Sequence, residues 1–114
     1  MNTERKLVRD KIPELIARDG RLVKVARVSG KELCNLLIAK LREEVEELSG
    51  SPSVEEVADV LEVLEAIASK CLGVGWEEVL KVKEIKKAER GGFEEGLVAE
   101  FIRGEATTSR GASP

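Results

Sequence analysis

The stretch KLREEVEELSGSPSVEEVAD, residues 40–59, decides the fold of this chain. Its middle, Ser49-Gly-Ser-Pro-Ser53, is a break that no helix continues through, and each side carries apolar residues at helical spacing. Upstream these are Leu33, Leu36, Leu37, Leu41, Val45 and Leu48, opened by the capping-box pattern Ser29-Gly30-Lys31-Glu32. Downstream they are Val57, Val60, Leu61, Leu64, Ile67 and Ala68, opened by Ser53-Val54-Glu55-Glu56 and running to Leu72 before Gly73. The spacing predicts two consecutive long helices, Lys31 to Gly50 and Ser53 to Leu72, folded back as a hairpin about Ser51 and Pro52.

That hairpin has a consequence for charge. Glu44 and Glu47 are three apart, as are Glu56 and Asp59, so each pair lies on one helix face. Both pairs are centred on the same point of the turn, which brings Glu44 level with Asp59 and Glu47 level with Glu56. Two carboxylates at 4 Å repel by about 4 kcal/mol at an effective dielectric near 20, so four converging acids call for a cation among them. An all-oxygen donor set suits Mg2+, with Mn2+ as the other option, and Mg2+ usually fills its remaining positions with water and substrate phosphates. The bland reading is that acid-rich helices are solvated helices, and that Glu56 serves the cap at Ser53. Against it, Glu43, Glu44, Glu46 and Glu47 crowd a helix C-terminus, where the macrodipole disfavours negative charge.

Composition narrows the chemistry. At 114 residues one domain is expected, over residues 1–104, with the small-residue stretch 105–114 as a mobile tail. With no histidine and no tyrosine, histidine-based nucleophile pairs, a histidine general base and a histidine-bearing zinc site are excluded. Cys34 and Cys71, 37 residues apart without a motif spacing, read as two reduced core thiols. No run approaches 18 apolar residues and the start is charged, so a cytoplasmic protein without membrane insertion is expected. The net charge of −3 hides a segregation: Lys40 to Glu65 carries −7, leaving +4 on the rest of the chain. Basic residues do not dominate as in a nucleic-acid binder, and no nucleic-acid polymer is expected as partner; the split fits metal on one side and phosphate on the other.

Outside the hairpin, Asp10 is placed to cap a short helix with Pro13 in its first turn and Gly20 as its stop. Arg21 to Val28 reads as an extended connector or short strand, and Phe93 to Ile102 is ambiguous. Trp76 to Arg90 reads as a third substantial helix, ended by Gly91 and Gly92. Its Lys83, Lys87 and Arg90 form a basic stripe that either holds phosphate oxygens or is a solvated face. Lys40 either meets substrate phosphate or pairs with Glu44 one turn on. Trp76 reads as a core or interface anchor. Two long amphipathic helices exceed what one small monomer covers, so the fold class expected is all-α, a helical hairpin assembling by homo-oligomerisation into a four-helix-bundle core.

Taken together these motifs resemble a known group. Lys40-Leu-Arg-Glu43-Glu44-Val-Glu46-Glu47 followed by Glu56-Val-Ala-Asp59 resembles the EExxE…ExxD signature of the MazG-like superfamily of all-α nucleotide pyrophosphohydrolases. Lys6-Leu-Val-Arg-Asp-Lys-Ile-Pro-Glu14 and Arg90-Gly-Gly-Phe93 are similar to its phosphoribosyl-ATP pyrophosphohydrolase-like subgroup, and the match ends after Phe93. The resemblance implies a homodimer or homotetramer that hydrolyses a nucleoside triphosphate, or a phosphoribosyl-ATP-like nucleotide, to monophosphate and pyrophosphate. It implies Glu44, Glu47, Glu56 and Asp59 as ligands of Mg2+, and Glu43 as a further acid beside them. Glu47 is the acid placed to orient or deprotonate the attacking water, with Glu43 as second catalytic candidate. Lys40, Lys83, Lys87 and Arg90 are the candidate phosphate-binding residues. The alternative is a non-catalytic helical interaction module, or a metal-stabilised scaffold, that retains the fold.

Overall fold

The computed structural model describes residues 4–21 and 24–102. These residues form four helices and, among them, no strand: α1 (Ile12–Arg18), α2 (Gly30–Gly50), α3 (Val54–Cys71) and α4 (Trp76–Arg90). The all-α expectation is borne out, and the three longer helices start and stop within about two residues of the expected limits, the usual uncertainty of a helix end. Leu22 and Val23, on which the connector reading partly rested, and the tail expected at 105–114 lie outside the described residues. The described residues fall into two compact units, one ending at Trp76 and the other beginning at Glu77.

In the first unit α2 and α3 pack against each other as the expected hairpin. Ser53 caps α3, its side-chain oxygen accepting from the Glu56 amide at 3.1 Å. Ser29 precedes α2 in an extended conformation but its side chain caps nothing, so the capping box expected there is not formed. Gly30 departs from the pattern's helical geometry: its φ of 59° starts the helix with a left-handed residue, and the Leu33 amide donates to the Ser29 carbonyl at 3.3 Å rather than to a capping side chain. Asp10 likewise does not cap α1; Lys11 stands at the N-cap, because a turn in which Ile12 donates to the Arg9 carbonyl at 3.0 Å delays the helix by one residue. Beyond α3, Gly73 at φ 67° lets Val74 donate back to the Ala68 carbonyl at 3.0 Å, closing the helix as a left-handed cap does.

The core is small. Leu37, Val63 and Ala68 are the buried apolar side chains, whereas Val57, Leu61 and Leu64, all expected on the packing face of α3, are 56%, 41% and 38% exposed. A two-helix layer covers one stripe of each helix and leaves the flanks in water. In the second unit no α4 residue is buried, and Phe93 to Ile102 adopts neither helix nor strand, with Phe93, Leu97, Val98, Phe101 and Ile102 exposed. No helix among the described residues is long and apolar enough to cross a membrane.

Cys34 and Cys71 are joined in a disulfide, which corrects the reading of two reduced thiols and removes that support from the cytoplasmic expectation. Their separation of 37 residues was misleading because the hairpin brings the first turns of α2 beside the last turn of α3, with the two Cα atoms 5.8 Å apart. In a chain-entropy picture, closing a loop of this size stabilises the fold by about 3–5 kcal/mol. Reduction, or the double replacement Cys34→Ser and Cys71→Ser, is therefore expected to lower the free energy of unfolding by that order. Urea titration with and without reductant measures it; coincident curves would show that the crosslink does not hold the hairpin.

Candidate metal centre

The turn end of the hairpin gathers the acids. α2 delivers Glu44 and α3 delivers Glu56 and Asp59, three apart and thus on one face, so that one carboxylate oxygen from each lies within 4.8 Å of the other two. Each of the three is half-buried. Adjacent oxygen donors around Mg2+ at about 2.1 Å stand about 3.0 Å apart, so the three carboxylates would have to draw closer together to hold such an ion. Two further atoms point the same way: Glu44 Oε1 and Glu56 Oε2 are buried without a hydrogen-bond partner. A buried, unpartnered carboxylate oxygen is costly, and a divalent cation is the partner that satisfies several at once.

Glu47, the fourth expected ligand, is exposed and is not one of the three convergent acids. Its charge is still felt at the site. Glu56 is pushed above the usual carboxylate range, first by desolvation and then by the charges of Glu47, Asp59 and Glu44. Glu43 is displaced the other way, to about 2, because hydrogen bonds from Lys40 and then Lys6 favour its ionised form. Lys40 donates to Glu43 Oε1 at 2.8 Å and lies 3.6 Å from Glu44 Oε2; Lys6 donates to Glu43 Oε2 at 2.7 Å, and its own pKa is raised by that bond. Lys40 thus realises its pairing with Glu44, with Glu43 as the closer partner.

The four expected phosphate-binding residues divide between the units. Lys40 stands at the acid cluster, while Lys83, Lys87 and Arg90 stand on α4 in the second unit, all exposed, with Lys83 3.4 Å from Glu84. Sequence reasoning placed Lys6 and Arg9 in the KLVRDKIPE motif but gave them no role at the site. The structure runs their segment across the hairpin, where Arg9 donates to Asp59 Oδ1 at 2.7 Å and Arg5 to Glu32 Oε2 at 2.8 Å. Their signal was the positive charge left over when the acids of residues 40–65 are set aside, which could not say which bases meet which acids.

No family model, curated protein or solved structure matches the chain.

Two titrations of opposite sign follow. The stabilisation from Glu43 is present above its unfolded value of 4.5 and is lost as pH falls toward about 2. Because Glu43 is more than a third exposed, it is worth about 1 kcal/mol or less. Glu56, with its pKa raised, instead penalises the native state as pH climbs past 4.5 through the shifted value. Without divalent ions, Glu56→Gln is expected to raise the melting temperature at neutral pH, and Glu43→Gln to lower it. Melts across the acid range check both, and a destabilised Glu56→Gln protein would show that the acid cluster is not under repulsion.

Proposed function

We propose that this protein is a Mg2+- or Mn2+-dependent nucleotide pyrophosphohydrolase, cleaving a nucleoside triphosphate or phosphoribosyl-ATP-like substrate to monophosphate and pyrophosphate. The observation that carries the reading is the convergence of Glu44, Glu56 and Asp59 from two facing helices, with buried oxygens of Glu44 and Glu56 left unpartnered. The direction of cleavage comes from the resemblance of the two acid motifs and the flanking KLVRDKIPE and RGGF segments to the MazG-like superfamily. A bound divalent ion supplies charge neutralisation of the phosphates and a lowered pKa for an attacking water.

The chain's own groups take the remaining roles. Glu44, Glu56 and Asp59 bind the ion. Glu47, exposed and close enough for its charge to reach Glu56, accepts the proton of the water. The water oxygen then bonds to the α-phosphorus, the bond from that phosphorus to the bridging oxygen breaks, and pyrophosphate leaves with the electron pair. Glu43, strongly ionised between two lysines, is poorly matched to a base near neutral pH and instead holds Lys6 and Lys40 in place. Lys40, beside the acid cluster, is proposed to bind phosphate oxygens.

Association of two or more hairpins into a four-helix-bundle core belongs to the same proposal, supported by the exposed flank of Val57, Leu61 and Leu64. Glu47→Gln keeps the shape but removes a base, so turnover is expected to fall by about 10²- to 10⁴-fold with helicity unchanged. Replacing Lys40 is expected to raise KM more than it lowers kcat. A panel of nucleoside triphosphates and phosphoribosyl-ATP, assayed with Mg2+, decides the class: orthophosphate with a diphosphate product, or full activity in Glu47→Gln, would reject the reaction or the residue respectively.

A further inference from the structure

We infer that Arg9 competes with a divalent cation for Asp59, and that the guanidinium so released becomes a ligand for substrate phosphate. The inference rests on the metal-site reading above. Asp59 is one of the three convergent acids, and its ion-pair partner is Arg9, 50 residues away in sequence. The pairing is not an accident of a loose end, because the residues just before Arg9 are tied to the hairpin. Leu7 is half-buried and, with Leu36 and Ala39 of α2, lines a cleft of about 190 Å³, while Arg5 pairs with Glu32 and Lys6 with Glu43. The backbone is thereby anchored and the Arg9 side chain is left to swing.

Two features favour competition over a role in which Arg9 merely orients Asp59. The contact is a single hydrogen bond from one guanidinium nitrogen, not the two-point fork that fixes a carboxylate, and the Arg9 side chain is 55% exposed with room to leave. A divalent ion held by Glu44, Glu56 and Asp59 would place like charge beside the guanidinium, and the repulsion works against holding both on one carboxylate. Glu56 has no ion pair among the described residues and Glu44 Oε1 is buried without a partner, so Arg9 offsets only part of the cluster's charge. Once displaced, an arginine tethered at the rim of the site finds its natural partner in a phosphate oxygen. Cation and polyphosphate then reinforce each other's binding, as linkage requires.

The test is Mn2+ binding to the full chain, read by calorimetry and by the electron-spin signal of free Mn2+, in wild type, Arg9→Gln and Lys6→Gln. Arg9→Gln is expected to bind Mn2+ more tightly by about 5-fold or more, the lower end of coupling between linked sites. Lys6→Gln, whose lysine pairs with Glu43 outside the triad, is expected to change it far less. At saturating Mn2+, inorganic triphosphate is expected to bind Arg9→Gln more weakly than wild type. An equal or weaker Mn2+ affinity in Arg9→Gln overturns the inference, as does an equal gain in Lys6→Gln or undiminished triphosphate binding. If wild type binds Mn2+ and Arg9→Gln gains nothing, only this inference falls. If no form binds Mn2+, the metal-site reading falls with it.

Discussion

The antiparallel pairing of α2 with α3 about Ser51 and Pro52 sets which side chains meet, and everything of chemical interest in the first unit follows from that register. It places Glu44 against Glu56 and Asp59 near the turn, and Cys34 against Cys71 at the far end. A shift of one residue would rotate each acid about 100° around its helix and disperse the triad. Among the described residues only Leu37, Val63 and Ala68 are buried, so the register depends in good part on connectivity at the two ends.

Charge is arranged within that frame as a gradient. Glu43 and Glu44 are neighbours in sequence, yet Glu43 lies between two lysines and is held near 2, while Glu44 faces the other acids and has one oxygen without a partner. Glu56, one helix over, is pushed up by the same crowd of acids. Helical periodicity thus separates, by a single residue step, an acid held ionised by lysines from one that faces other acids.

Much of this was legible in the sequence where periodicity or mirror symmetry spoke. The helices α2, α3 and α4 follow from apolar spacing and from their stops at Gly50, Gly73 and Gly91, and Glu44, Glu56 and Asp59 follow from i, i+3 spacing reflected about the turn. The same reflection contained the disulfide: the midpoint of residues 34 and 71 lies one residue from that of 44 and 59, so the register that aligned the acids also aligned the cysteines. Reading the cysteines by motif spacing alone missed it. Local rules failed at Ser29, where a left-handed Gly30 stands inside a good capping pattern, and at Asp10, where the chain turns before the helix begins. The partners of Lys6 and Arg9 were not legible, because contacts across 37 and 50 residues are set by how the N-terminal segment crosses the hairpin.

The placement of the two covalent constraints explains how so small a core tolerates clustered acids. Like charges on facing helices drive them apart, and the force acts near the turn, where residues 49–53 already tether α2 to α3. A splaying motion pivoting at the turn would open the hairpin at its far end, which is where the Cys34–Cys71 bond closes it. Repulsion therefore has no soft direction in which to relax, and it stays concentrated in the carboxylates themselves. The Lys6, Lys40 and Arg9 contacts lower it from the rim without filling the space between Glu44 and Glu56. Acids locked together by connectivity and only partly neutralised by surrounding lysine and arginine carry a repulsion that the unfolded chain, in which the same acids are far apart and fully solvated, does not, so any multivalent cation seated among them would favour the folded hairpin.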